Sequence, residues 1–228
     1  MSTWLEQVMS TGIQERSRPV AGQMPNVLVL PMTSDMVTRV CDLHLRAFRG
    51  MMSARLGPTY IHAFISWFLR AKDAIALVAA DRDGAIIGYV IGAPVGYGAA
   101  MNRQLALVAA RSMIARPWLF FEPQVRATVS ARLGWILGSR SALETDGLPR
   151  PTMSLVGIAV SPSASGQRVG FALMQAFESK ARTLRMASLR LSVYPNNVAA
   201  RRLYGRCGWN ALGSASSTGA IYYGRVMS

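Results

Sequence analysis

The residues from Leu155 to Glu178 combine an apolar run, a loop of small residues and the opening of an amphipathic segment. The run, Leu155-Val156-Gly157-Ile158-Ala159-Val160, is closed by Ser161-Pro162 and predicts a strand buried on both faces. Ser163-Ala164-Ser165-Gly166-Gln167-Arg168-Val169-Gly170 then leads into Phe171-Ala172-Leu173-Met174-Gln175-Ala176-Phe177-Glu178, whose apolar residues recur at helical spacing. First-turn amides of such a helix lack intrahelical partners, and the macrodipole adds about half a positive charge, worth roughly 0.3–1 kcal/mol to a nearby anion. Strand, loop and helix N-terminus therefore make an anion site, most often one for phosphate. A nucleoside-triphosphate loop would need Gly-Lys-Ser/Thr where Val169-Gly170-Phe171 stands. A dinucleotide loop would need a third glycine and an acid about 20 residues on, where Leu189-Arg190-Leu191-Ser192-Val193 has none. Both classes are excluded on residues.

His44 and His62 have neither metal-ligand spacing with a partner nor a nearby Ser or Cys nucleophile motif. Each reads as a helix residue whose ring is satisfied or exposed, and no metal is expected.

The stretch from Met153 to Trp209 resembles the GNAT superfamily of acetyl-CoA-dependent N-acetyltransferases. Val160-Ser161-Pro162 is similar to that family's strand end. Ser165-Gly166-Gln167-Arg168-Val169-Gly170 is similar to its cofactor loop, and Asn197-Val198-Ala199-Ala200-Arg201-Arg202-Leu203-Tyr204, followed by Gly208-Trp209, to its later motif. Ser165 departs from the family's usual Gln or Arg, and Arg168 from its usual Gly. A missing glycine matters where the backbone needs positive φ. Arg168 either offers its guanidinium to a phosphate oxygen or stays solvated beside a reshaped loop.

The resemblance implies an α/β (α+β) fold with a mixed central sheet, helices on both faces, and acetyl-CoA as cosubstrate. It implies that Ile158, Ala159 and Val160 hold the pantetheine arm at a V-shaped gap in the sheet. It places the pyrophosphate on amides of Gly166, Gln167, Arg168, Val169, Gly170 and Phe171, and puts Asn197 near the pantetheine or at a helix cap. Tyr204 falls at the general acid, with a packed tyrosine as the alternative. A phenol of pKa near 10 donates to a thiolate whose conjugate acid resembles Cys, near 8.5, uphill by ~2 kcal/mol. Cys207 falls near the expected thioester without a His partner in sequence, so buried packing is preferred to an acyl-cysteine route. No Asp, Glu or His accompanies Ser154 on the cofactor strand. Deprotonating a lysine-like amine at neutral pH would cost ~4.6 kcal/mol and an amine of pKa near 8 only ~1.4 kcal/mol, which leans towards a low-pKa acceptor. Proton removal through water at Ser154 or backbone carbonyls, or by Asp42, Glu122 or Glu144, remains open on sequence.

The elements that must position this stretch precede it. Residues 1–25 carry Gly12, Pro19, Gly22 and Pro25 and read as an N-terminal arm, with the GNAT domain over residues 26–228. Asn26–Pro31 predicts a strand and Thr33-Ser34-Asp35 the cap of a helix to about Arg49. Pro58–Ala71 carries a helical stripe of Ile61, Phe64, Ile65, Phe68 and Leu69. By resemblance, this helix pair borders the acceptor pocket. Ala74–Ala80 and Ala85–Gly92 around Asp83-Gly84 predict a hairpin. Ala99–Arg150 reads as an insertion of about fifty residues with helical stretches at Leu105–Ile114 and Gln124–Leu137. Its arginines among apolar residues suit a lid or wall over the acceptor site first, a dimer interface second, and contact with an anionic membrane surface third.

The 228 residues carry a formal charge of +14, yet only two of the 25 basic residues are lysine. From Pro151 onward nine basic residues face a single acid, Glu178, which suits steering of an anionic cofactor. No run of five basic residues supports nucleic-acid binding. Two cysteines, an N-terminus without the pattern of a signal peptide, and glycines interrupting the long uncharged stretch at Gly84–Asn102 suggest a cytoplasmic enzyme. The acceptor expected is a small-molecule amine, an amino sugar first, with protein N-termini or lysines behind it. A non-catalytic acyl-CoA-binding module is the alternative.

Overall fold

The computed structural model describes residues 27–49, 52–116, 147–212 and 219–227. The expectations for the N-terminal arm and for a helix over Gln124–Leu137 lie outside the described residues. Seven strands form one mixed sheet: β1 (Leu28–Pro31), β2 (Ile75–Ala80), β3 (Ile86–Pro94), β4 (Thr152–Val160), β5 (Ser188–Val193), β6 (Asn210–Ala211) and β7 (Ile221–Val226). Their order is β1-β2-β3-β4-β5-β7-β6. Neighbours run antiparallel except β4 and β5. The helices are α1 (Val37–Ala47, entered through a 3-10 turn at Ser34–Met36), α2 (Met52–Arg55), α3 (Pro58–Arg70), α4 (Tyr97–Ile114), α5 (Val169–Thr183) and α6 (Val198–Arg206).

Local sequence explains the elements around the site. The β2–β3 turn closes because Asp81 Oδ1 accepts from the amides of Asp83 and Ala85 while Gly84 takes φ +77°. Pro58 opens α3, where its missing N–H leaves nothing unsatisfied. Helix α4 begins two turns before the expected Leu105. Gly96 at φ +101° caps it, so the glycines around it mark a helix start rather than a continuing loop. Met101 and Leu105 then anchor α4 in the core.

Period-two alternation sorts the strand side chains into two cores. Val78, Tyr89, Ile91 and Ala159 pack with α1, α3 and α4 on one face of the sheet. Leu77, Val90, Met153 and Leu155 pack with α5 and α6 on the other. Gly92 permits the second packing, since a Cβ there would lie 2.5 Å from the Phe177 ring and 2.6 Å from the Ser154 carbonyl. The second core is pinned by a polar triad: Glu178 of α5 accepts from Trp209 Nε1 at 2.7 Å and from Arg225 of β7 at 3.0 Å. Arg225 also donates to the Cys207 carbonyl.

Candidate active site

The parallel pairing of β4 with β5 lasts only from Thr152↔Ser188 to Ser154↔Arg190. Beyond it β4 continues to Val160 along β3, leaving the β5-facing edge of Leu155–Val160 without a strand partner among the described residues. A bulge accompanies the departure. Ile91 of β3 opposes Gly157 and Gly92 opposes Leu155, so Val156 is the extra residue. Such a bulge bends and twists its strand. The V-shaped gap expected from the motif is therefore present. It also explains why Val156, Gly157 and Ile158 are only partly buried, although the apolar run had suggested a strand covered on both faces.

The gap holds a cleft of about 520 Å³ that reaches both sides of the sheet. His44, Phe48 and Phe64 line it from the α1/α3 side. Asn197, Ala200 and Tyr204 line it from the α6 side, with Leu155 to Ile158 and Ser192 to Tyr194 between. A second cavity, about 600 Å³, lies where β4 ends and α5 begins. Its walls include Val160, Ser165, Gly166, Arg168, Val169, Gly170 and Phe171, with Leu203 and Arg206 from α6. Val160 at the end of β4 and Ile158 in the cleft put the two spaces along one strand edge.

Residues 37–209 match the model of the acetyltransferase (GNAT) family. The chain belongs to the GNAT acetyltransferase family. It is an acyltransferase enzyme, and the family uses acetyl-CoA. Among solved structures, SsHAT shares 24% identity with a TM-score of 0.58, over 89% of this chain and 98% of that one. The ribosomal-protein-S18-alanine N-acetyltransferase from Escherichia coli shares 15% at 0.52, covering 89% and 94%. The yncA structure from Salmonella typhimurium with its cofactor acetyl-CoA shares 12% at 0.56, also covering 89% and 94%. At these identities the likeness is one of fold. A sequence comparison with curated proteins finds no match.

The residues of this GNAT enzyme fit an acyl-CoA. The unpaired edge of β4 offers amides and carbonyls to an amide-bearing arm. The first-turn amides of α5, with Arg168 and Arg206 beside them, offer a positive cradle to phosphates. Arg168 takes φ +57°, the left-handed conformation that its usual glycine would adopt freely. An L side chain there costs about 1–2 kcal/mol. Arg168→Gly is thus expected to raise stability by up to about 1 kcal/mol, because the gain is offset by glycine's greater unfolded-state freedom. Denaturant midpoints of the two proteins check this.

The other expected site residues are not all at these cavities. Ile158 and Asn197 line the cleft, and Val160, Gly166, Arg168, Val169, Gly170 and Phe171 line the cradle. Ala159 does neither: it pairs with Tyr89 and its side chain enters the α1/α3 core. Gln167 lines neither, and its side-chain amide donates to the Ser163 carbonyl at 3.4 Å. Asn197 also caps α6, accepting from the Ala200 amide at 3.2 Å. Cys207 lines neither cavity, and burial first, then Glu178, pushes its thiol up to about 11, with Arg225 opposing. It is a packed thiol rather than a thiolate nucleophile. Among the described residues no cluster of three or more His, Cys, Asp or Glu could hold a metal.

Tyr204 is buried at the cleft, packed near the rings of Trp209 and Tyr223. Burial, then Cys207, pushes its phenol up to about 12. It therefore holds its proton through any working pH. Complete transfer of that proton to a thiolate would be uphill by about 5 kcal/mol, against ~2 kcal/mol for an ordinary phenol.

His44, read from the sequence as a helix residue with a satisfied or exposed ring, is a buried residue of α1. It is 5% exposed, its Nδ1 lies 2.5 Å from Tyr89 Oη, and its Nε2 is buried without a partner among the described residues. Only half of the expected satisfaction is present, while His62 is exposed as read. The distance of 45 residues to Tyr89 hides the pair from any local pattern. An unsatisfied buried polar group costs about 1–3 kcal/mol, and function can retain such a group.

Burial pulls the His44 imidazole down to about 4. The folded state therefore binds fewer protons than the unfolded state between that value and 6.5. Stability is full above pH 6.5 and falls as the pH drops towards 4, by about 3 kcal/mol in all. Denaturant unfolding at pH 7 and pH 4.5 should show the loss in the parent protein and a smaller one in His44→Gln.

Proposed function

We propose that this enzyme moves the acetyl group of acetyl-CoA directly to the primary amine of a small molecule, a class in which an amino sugar is one member. The observation that carries this is the early separation of β4 from β5, which opens a cleft through the sheet with a protonated tyrosine on one wall. Acetyl-CoA supplies an electrophilic thioester carbonyl. In this reading Ile158 and Val160 present backbone groups to the pantetheine arm, and the α5 amides with Arg168 and Arg206 hold the phosphates. Asn197 sits beside the arm while capping α6. A β4 amide at the bulge polarises the carbonyl oxygen. The amine forms the new N–C bond as the C–S bond breaks, Tyr204 Oη gives its proton to the leaving sulfur, and the proton lost from the amine nitrogen passes through solvent to restore the phenol.

The packed thiol of Cys207 favours one-step transfer over an acyl-enzyme. Amine-dependent release of CoA, followed with a thiol reagent, tests the activity. Mass spectrometry of the protein after incubation with acetyl-CoA alone tests the route, and a stable mass gain of one acetyl group on Cys207 would refute direct transfer.

The exposed stripe of α4, with Leu107 and Ile114 open to solvent, supports the lid or interface role expected of the insertion. No helix among the described residues is long and apolar enough to cross a membrane.

A further inference from the structure

We propose that His44 gives the acceptor a hydrogen bond from the α1/α3 side of the cleft, and that the acceptor taken there carries its amine beside a carbonyl group on an apolar body. This rests on the transferase reading above and narrows it. The phosphate cradle lies against α5 and α6, which leaves the α1/α3 side of the cleft to the second substrate. That side is lined by His44, Ala47, Phe48 and Phe64, and the bulge residue Val156 faces the same core. No carboxylate lines the cleft among the described residues, so a polycation finds no counterion there.

The hydrogen bond fixes what His44 offers. Tyr89 is fully buried, and burial raises its phenol so far that it keeps its proton. Among the described residues the Tyr89 hydroxyl is hydrogen-bonded to His44 Nδ1 alone. The phenol therefore donates to Nδ1, and the neutral ring carries its hydrogen on Nε2. The unpartnered Nε2–H is a donor that needs an oxygen. The His44 ring packs against the Phe48 ring, their centroids 4.7 Å apart, and Phe48 is only half-buried at the cleft, so the acceptor seats by turning that ring aside.

A carbonyl adjacent to the amine meets both conditions. It accepts from Nε2–H, and it lowers the amine from the lysine range near 10.4 to roughly 8, as for an α-amino group. Such an amine is readily neutral in a cleft that offers no carboxylate base. The aromatic wall of Phe48 and Phe64 takes the apolar body. An amino-acid amide and the N-terminus of a peptide share this chemistry.

The test uses the full chain with acetyl-CoA and five amines: phenylalaninamide, phenylalanylglycylglycine, 2-phenylethylamine, glucosamine and spermidine. Phenylalaninamide or the peptide should exceed glucosamine and spermidine in kcat/KM by about tenfold or more, and whichever of the two leads identifies the source. His44→Leu should raise KM for the carbonyl-bearing amine about tenfold and leave 2-phenylethylamine, which has no carbonyl, within about twofold. His44→Gln, which keeps an N–H donor, should recover most of the loss. A preference for glucosamine or spermidine, or an equal loss in His44→Leu for amines with and without the carbonyl, overturns the proposal. Calorimetry with acetyl-CoA accompanies each variant. Failure of acetyl-CoA to bind the parent protein sinks the transferase reading itself, whereas tight binding with the wrong amine preference sinks only the role of His44.

Discussion

Tyr204→Phe is expected to lower kcat about a hundredfold or more while changing acetyl-CoA affinity by less than about threefold. The substitution removes an oxygen and leaves the ring, so the contacts with Trp209 and Tyr223 at centroid distances of 6.3 and 5.9 Å persist. On the proposed function, what is lost is a proton donor beside the departing sulfur, a loss felt only as the C–S bond breaks. Because the phenol sits near 12, the parent enzyme should also show no falling alkaline limb below about pH 11 from this group. Rate should instead rise with pH through the pKa of the acceptor amine. Steady-state kinetics across pH, paired with calorimetry, separate the outcomes. Equal losses of turnover and affinity would make Tyr204 a packing residue.

Glu178→Ala is expected to destabilise the protein by about 3–5 kcal/mol. Its carboxylate is the shared acceptor for the buried Trp209 indole N–H and the Arg225 guanidinium, which join α5, the segment after α6, and β7. Removing the acid leaves a buried indole donor and a partly buried cation without that acceptor. Arg225 keeps its bond to the Cys207 carbonyl, so Glu178→Gln, which still accepts from the indole, should lose less. Neither change touches a lining residue of the cleft or cradle. Denaturant unfolding should therefore report the loss, while kcat of the folded fraction stays near the parent value. A stability change below about 1 kcal/mol would show the triad to be incidental.

The cofactor half of the site was legible in the sequence because its chemistry is backbone chemistry. A strand, a small-residue loop and a helix start are local patterns, and Val160, Gly166, Arg168 and Phe171 all line the cavity where β4 ends and α5 begins. Ala159 and Gln167 line neither cavity, for a related reason. Motif adjacency does not reveal which way a side chain turns at a bulge or tight loop, and Val156 shifts the alternation by one residue. Arg168 could not be judged from spelling alone, since a left-handed arginine and a reshaped loop read identically. The acceptor half was nearly illegible. His44 and Phe48 at the end of α1, Phe64 on α3 and Tyr89 on β3 are far apart in sequence, and only the packing of α1 and α3 on that face of the sheet brings them together. Glycines around Gly96 likewise concealed the start of α4, because a glycine cap and a glycine loop share a composition.

The most direct measurement is a calorimetric titration of the full chain with acetyl-CoA, with ATP as the control for simple polyphosphate binding. The account predicts one site of micromolar or tighter Kd for acetyl-CoA and at least tenfold weaker binding of ATP, because the β4 edge adds contacts that only the pantetheine arm can make. No binding of acetyl-CoA, or equal binding of ATP, would contradict it and leave the gap between β4 and β5 without the role assigned to it.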